Sequence, residues 1–269
     1  SGTGECALPA VGGLRVATWN LCLEFCPELG PWRQRVPVIA AQLLATGADV
    51  IALQETGRKN THGDTLARAV SSRYRVAAYH RSKMLLINPD RVRLTNTSGR
   101  GLPGRDFLLG NRGGVAQVLR LRVTGAEVVV TSLHPAHGST VAADRERLAY
   151  LGQAQAIADG LSAYGRRPIV HIGDLNSHIP GSRTHHRVAT YLTGLGYRSA
   201  EQLAEHREGA RYASYNGGHP PVRGRRIDHI IVPASSHVTV WRQLLAPDPQ
   251  HPPSDHHLIV ADLDPAPEK

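Results

Sequence analysis

Short, nearly continuous apolar runs alternate along this chain with two longer segments whose apolar residues recur at helical spacing. Leu14-Arg15-Val16-Ala17-Thr18-Trp19 alternates and ends in Asn20, as a strand feeding a polar loop does. Residues 32–46 carry Val36, Ile39, Ala40, Leu43 and Leu44 on one helical side and stop at Gly47. Asp49-Val50-Ile51-Ala52-Leu53 follows as a buried strand, completing a β-helix-β unit that brings Gln54-Glu55 close to Asn20. Residues 74–78 and 84–88 read as a strand pair closed by a Pro89-Asp90 turn. Residues 115–123 and 127–131 read as a hairpin across Thr124-Gly125. Residues 142–162 form a second amphipathic helix, 169–172 a buried strand, 188–195 a short helix, and 227–232 and 258–263 the closing strands.

Strands dominate, helices intervene at two or three points, and there is no repeat, long linker or low-complexity tract. The pattern predicts one α+β or α/β sandwich, two sheets packed face to face with helices outside. Its boundaries are a single domain over 14–264, preceded by an N-terminal segment 1–13 and followed by a tail 265–269. A chain of 269 residues with 41% apolar content buries a sizeable core. Aromatics are only 5%, so Val, Ile, Leu and Ala do most of the packing.

Charge narrows the class of partner. With 31 Lys and Arg against 22 Asp and Glu, the chain carries a formal +9, which favours a polyanion or a phosphorylated small molecule as ligand. No apolar run approaches the ~18 residues of a membrane span, and no signal-peptide pattern opens the sequence at Ser1. Cys6, Cys22 and Cys26 all lie in the first tenth of the chain. That clustering predicts a disulfide from Cys6 to Cys22 or Cys26, tying the N-terminal segment to the loop after the first strand. It leans towards an extracytoplasmic setting, with a cytoplasmic one as the alternative. A zinc site is disfavoured by the lack of CxxC spacing and of a nearby His.

The candidate chemistry lies in five polar punctuations: Trp19-Asn20, Gln54-Glu55, Gly173-Asp174-Leu175-Asn176, Arg226-Ile227-Asp228-His229 and Ser254-Asp255-His256. Three end an apolar run or sit just beyond one, and the last two precede one. Carboxylates, carboxamides and imidazoles parked at strand ends are what a divalent-metal phosphoesterase needs. In-line attack by water builds charge on the phosphate oxygens, and a cation, a polarised water and phosphate donors must meet it. Glu55 is the first metal-ligand candidate, with Asn20 beside it. Strand alternation predicts Asp174 and Asn176 on one side of the chain, Asp174 to orient or deprotonate water and Asn176 to hold a phosphate oxygen. The competing reading is an Asx-type turn in which both side chains cap backbone amides. A carboxylate beside His256 suits that ring to bind phosphate or exchange a proton. His134 is the second imidazole singled out, and Arg58 and Lys59 follow Glu55 just beyond Thr56-Gly57.

These motifs, in this order, resemble those of the endonuclease/exonuclease/phosphatase superfamily, over almost the whole chain. The resemblance implies a deoxyribonuclease I-like, four-layer α/β/β/α sandwich of two mainly antiparallel sheets. It also implies a Mg²⁺ cofactor, with Mn²⁺ or Ca²⁺ as alternatives. Carried over, Asn20, Glu55 and Asp255 would serve the metal, Asp255 alternatively orienting the histidine. His134 and His256 would flank the scissile phosphate, Asp228 would pair with His256, and Asp174 and Asn176 would position water and phosphate. Arg112 matches in position an arginine aimed at the scissile region, and with Arg58 it is the substrate-binding candidate. Leu133-His134-Pro135-Ala136 and the stretch Met84 to Val92 are closer to the deoxyribonuclease I branch than to sphingomyelinases. Two departures stand out. An acidic partner for the first histidine is expected just before Met84, where this chain has Arg81-Ser82-Lys83, and the tyrosine that enters the minor groove has no counterpart.

The function expected is therefore a Mg²⁺-dependent phosphodiesterase cleaving nucleic acid, an endonuclease of low sequence specificity, acting as a monomer. The alternative is a metal-dependent phosphatase or phosphodiesterase on a small phosphorylated metabolite or lipid headgroup. A binding module without activity is disfavoured, because none of the eight catalytic and metal positions is lost.

Overall fold

The computed structural model describes residues 13–95, 105–109, 112–163, 166–179 and 187–265, of which 105–109 as backbone only. Cys6 and nearly all of segments 1–13 and 265–269 lie outside the described residues. In chain order the elements are β1 (Leu14–Asn20), α1 (Trp32–Ala45), β2 (Val50–Gln54), α2 (Asp64–Ala69), β3 (Arg75–His80), β4 (Lys83–Ile87), β5 (Val92–Leu94), β6 (Arg105–Leu109) and β7 (Arg112–Leu121). There follow β8 (Glu127–Ser132), α3 (Val141–Leu161), β9 (Ile169–Asp174), α4 (Arg187–Gly194), β10 (Tyr197–Ser199), α5 (Ala200–Leu203), β11 (His206–Glu208), β12 (Asp228–Pro233), β13 (His237–Leu244) and β14 (Leu258–Asp264).

Two seven-stranded sheets result, one ordered β11-β13-β14-β1-β2-β4-β3, the other β10-β12-β9-β8-β7-β5 with β6 also on β7. Most neighbours are antiparallel, but β1 runs parallel to β2 and β8 parallel to β9, as crossovers through α1 and α3 require. The layering explains the unbroken apolar runs. Val16, Val50, Ala52 and Leu85 point between the sheets, where they meet Val115, Val130, Ile172 and Ile230. The alternate residues Ala17, Trp19, Ile51, Leu53 and Leu86 pack under α1 with Ile39 and Leu43. On the far side Val129 and Ile169 pack with Leu151, Ala154 and Ala158 of α3. Central strands covered on both faces have no polar face to show. The expected α/β/β/α sandwich is what the chain forms.

Thr140 caps α3, its Oγ1 accepting from Ala143 N at 3.1 Å. Two expectations are corrected. The β3–β4 hairpin turns at Arg81-Ser82, both at positive φ (45° and 63°), rather than at Pro89-Asp90, which follows β4. The disulfide joins Cys22 to Cys26, so the expected bridge from Cys6 to that loop is not made; the four-residue separation closes a loop immediately after β1.

Candidate active site

The strand ends deliver the site. β1 and β2 run parallel and in register, Asn20 opposite Gln54, so Asn20 and Glu55 emerge side by side. On the facing sheet β12 and β9 pair with Asp228 directly opposite Asp174. Gly173 (φ 148°) makes the third approach possible. Its backbone bridges Leu133, and a Cβ there would lie 2.1 Å from Leu133 O, so only glycine lets the chain leading to His134 lie against Asp174. The sheets are tied at this end by Gln54, whose Nε2 donates to Ser132 Oγ at 3.1 Å. The loop before β14 is tied to β1 by Ser254 Oγ donating to Asn20 O (2.6 Å) and Trp19 Nε1 donating to His256 O (2.8 Å). Buried Arg35 of α1 donates to Leu21 O, Cys22 O, Leu23 O and Pro253 O. One guanidinium thus binds the loop after Asn20 to the loop carrying Asp255 and His256.

Asn20, Glu55, His134, Asp174, Asp228, Asp255 and His256 converge. Asn20 Nδ2 donates to Glu55 Oε1 and Asp174 Oδ2, each at 3.1 Å. His134 Nε2 lies 3.5 Å from Asp174 Oδ2 and 3.7 Å from Glu55 Oε1. His256 Nε2 is 3.6 Å from the same Asp174 oxygen and 4.0 Å from Asp255 Oδ1, while its Nδ1 is held by Asp228 Oδ2 at 2.8 Å. Two imidazoles therefore share one carboxylate. Glu55 takes a positive φ of 49°, turning its carboxylate off the strand into the cleft.

Asn176 departs from the alternation expected of it. β9 ends at Asp174, and Asn176 sits at φ 49° with its N–H on Asp174 Oδ1 (2.9 Å) and its Nδ2 on Pro135 O (3.1 Å). The Asx-type turn forms, but only one Asp174 oxygen serves it. The other faces Asn20 and both histidines. Arg58 does not reach the cluster; its side chain is 80% exposed and pairs with Glu24 at 3.2 Å. Arg112 pairs with Glu146 at 3.0 Å, on the His134 side.

Burial disfavours charge on both imidazoles, and the neighbouring carboxylates reverse that only at His256. Around His134, desolvation outweighs the attraction of Asp174 and is reinforced by Lys83, His256 and Arg112, pushing its pKa down to about 4. Around His256, desolvation is overcome by Asp228, Asp174 and Asp255 together, raising it to about 10. Asp174 is raised by burial and by Asp228, and Asp255 is raised to about 6, by burial first and then by Glu55 and Asp228. A cluster of carboxylates with too little positive charge is a setting a hard divalent cation fits, and buried Asp228 Oδ1 has no hydrogen-bond partner. The ligand atoms of Asp174, Asp228 and His256 lie within 4.8 Å of one another, but His256 Nδ1 is already committed to Asp228. The open carboxylate is Glu55, with Asp174 behind it. Cys22, Cys26 and Asp255 are also close, yet the two sulfurs are joined in a disulfide.

Sequence reasoning missed four contributors. Lys83 is buried at the start of β4, pushed down to about 8 by burial and by Arg112, with Glu55 opposing. It stands where an acidic partner for His134 was expected, and His134 instead finds Asp174 and Glu55. Tyr150 of α3 accepts from His134 N and donates to Gly113 O. Tyr215 lies beside His256. Arg35 completes the set. Proximity of Arg81-Ser82-Lys83 to the expected acidic position was the one available signal; a buried helix arginine or tyrosine has none.

The fold and the clustered strand-end residues are those of a phosphoric ester hydrolase. The endonuclease/exonuclease/phosphatase family model matches residues 17–256, and the chain belongs to that family of phosphoric ester hydrolases. No curated protein matches the chain. Among solved structures, a mannosyl-6-phosphatase from Bacteroides thetaiotaomicron is similar at 19% identity and TM-score 0.75, covering 93% of this chain and 99% of its own. The human Nocturnin catalytic domain with bound sulfate is similar at 18% identity and TM-score 0.69, covering 96% and 97%. Zebrafish (D. rerio) TDP2 complexed with a single-strand DNA product is similar at 15% identity and TM-score 0.65, covering 94% and 99%.

Proposed function

We propose that this chain is a divalent-metal-dependent phosphodiesterase cleaving nucleic acid, as an endonuclease of low sequence specificity. The observation that carries the reading is the geometry of two buried imidazoles, His134 and His256, whose Nε2 atoms lie 3.5 and 3.6 Å from one oxygen, Asp174 Oδ2. His256, cationic through Asp228, binds the phosphate and donates its Nε2 proton to the leaving oxygen. Asp174, raised towards neutrality, takes the proton of the attacking water at Oδ2. His134 stays neutral and orients the phosphate, Asn176 holds the turn that fixes Asp174, and Asp255 backs His256. Glu55 would hold the metal, and Asn20, whose amide nitrogen donates to Glu55 here, would join by turning its oxygen inward. Bound there, Mg²⁺, or Mn²⁺ or Ca²⁺ in its place, supplies charge stabilisation at the phosphate oxygens.

The net charge of +9, with Arg112 on the His134 side of the cleft, supports a nucleic-acid backbone as substrate, and the structural likeness to a DNA-bound TDP2 is consistent with it. The Cys22–Cys26 disulfide supports an extracytoplasmic setting. A phosphatase acting on a small phosphorylated metabolite is the second reading, favoured by buried Lys83 beside Arg112 and by the likeness to a mannosyl-6-phosphatase. Incubation with supercoiled plasmid and with a panel of phosphomonoesters, each with Mg²⁺ or EDTA, tests the choice. Mg²⁺-dependent nicking is expected. Intact plasmid alongside turnover of a phosphomonoester would hand the same residues to the second reading.

A further inference from the structure

Among the described residues only two aromatic side chains are exposed, Phe25 at 69% and Tyr215 at 50%. In a chain with so few aromatics, both belong to segments that meet at Asp255. Phe25 stands in the small loop closed by Cys22–Cys26, and Cys26 Sγ lies 3.6 Å from Asp255 Oδ2. Tyr215 precedes two amides, Asn216 N and Gly217 N, that donate to Asp255 O at 2.7 and 3.2 Å. Its ring centroid is 5.2 Å from that of His256, the planes 65° apart. This edge-on contact leaves at least one phenol face uncovered by the imidazole.

Packing does not account for Tyr215. Its hydroxyl makes no hydrogen bond among the described residues, and half of the residue is exposed. Its backbone, by contrast, is held rigidly. Ser214 Oγ accepts from Ile227 N and Asp228 N, and His257 N donates to Ser214 O at 2.8 Å. Gly217, two residues on, takes φ 65°, a backbone conformation that favours glycine and fixes the turn after Tyr215. Burial first, then the charges of Asp255, Glu28 and Glu55, raise the phenol's pKa. A rigidly mounted, half-bare ring beside the imidazole that meets phosphate is a stacking platform for a flat apolar group attached to that phosphate.

We infer that Tyr215, with Phe25 on the neighbouring loop, forms a base-stacking subsite that takes an unpaired nucleobase next to the scissile phosphate, making single-stranded nucleic acid the preferred substrate. The inference rests on the nuclease reading above and narrows it. Sugar phosphates and inositol phosphates have no π-face to offer this ring; every nucleobase does, so the subsite discriminates between substrate classes without reading sequence.

The test compares a single-stranded DNA 12-mer with a 12-mer of equal charge whose central sugars carry no base, measuring KM with Mg²⁺ and Kd by fluorescence anisotropy in EDTA. The parent is expected to show a KM and Kd about tenfold lower for the base-bearing strand. Tyr215→Ala should collapse that ratio towards one, Tyr215→Phe should keep it, and Phe25→Ala should reduce it. Equal KM values on the two strands in the parent, or an unchanged ratio in Tyr215→Ala, overturns the inference while nucleic-acid cleavage stands. Failure to cleave either strand or plasmid, with a phosphomonoester turned over, overturns the nuclease reading and the subsite with it.

Discussion

Asp228→Asn probes the most heavily charged contact in the site. Asp228 is fully buried, holds His256 Nδ1 at 2.8 Å, and has no other side-chain partner at Oδ1. Burial alone would leave His256 neutral, so the carboxylates, Asp228 foremost, carry its pKa from 6.5 to about 10. A rise of that size corresponds to ~3–5 kcal/mol of preference for the charged ring. The sign follows from the folded pKa lying above the unfolded one. The pair's stabilisation is complete below about pH 6.5 and fades as pH rises towards 10. With asparagine the hydrogen bond survives but the charge does not, and the ring becomes neutral at pH 7. Relief of the Asp174–Asp228 repulsion, one of the causes raising Asp174, offsets part of the loss, so a stability cost of ~1–3 kcal/mol is expected. Turnover has no such offset, because a neutral His256 neither binds phosphate as a cation nor donates to the leaving oxygen, and kcat should fall by about 10²–10⁴. The assay is plasmid nicking at saturating Mg²⁺, with NMR titration of the His256 ring from pH 5 to 10. A folded variant whose kcat stays within about threefold of the parent, or whose His256 remains protonated at about pH 8, would refute the reasoning.

Glu55→Gln removes the one carboxylate open to the cleft, so Mg²⁺ affinity should weaken and turnover drop by about 10² or more; full nicking at low Mg²⁺ would take Glu55 out of the site. Arg112→Ala should raise KM on DNA and flatten its salt dependence by about one unit, whereas Arg58→Ala, far exposed and paired with Glu24, should do less; a salt slope unchanged in Arg112→Ala would argue against phosphate contact there. Thiol counting on the denatured, unreduced protein should find one free cysteine rather than three, and Cys22→Ser should cost ~2 kcal/mol by opening the loop. Buried His171, bonded to Gln155 Oε1 at 2.8 Å, is pushed down to about 4 by burial, so its contribution is complete above pH ~6.5 and lost as pH falls towards 4, up to ~3 kcal/mol. His171→Gln should therefore flatten the acid limb of urea midpoints between about pH 4 and 7, and parallel limbs would contradict the assignment.

The sandwich was legible in the sequence because its strands are covered on both faces. β2 and β4 read as apolar runs, β9 and β14 as runs broken only by His171 and Asp262, and the spacing of Val36, Ile39, Ala40 and Leu43 marks α1. The site was legible because its polar residues interrupt those runs at their ends. What the pattern did not reveal lies at the margins of the sheets. β13 mixes buried and half-exposed positions and breaks its alternation at a bulge between Val238 and Val240, while β10 and β11 are three residues each, too short to show a period.

Residue types and their order along the chain thus determined the layers and which polar residues stand at the strand ends, since burial and strand ends are local consequences of hydrophobic pattern. Partners and charge states were decided only by the tertiary fold. Nothing local says that Cys22 closes on Cys26 instead of Cys6, that Asp174 serves His134 and His256 at once, or that one of those rings is cationic and the other neutral. The last two depend on which charges long-range packing places within a few ångströms in a site sheltered from water, where a neighbour's charge and a lost hydration shell outweigh a side chain's intrinsic preference.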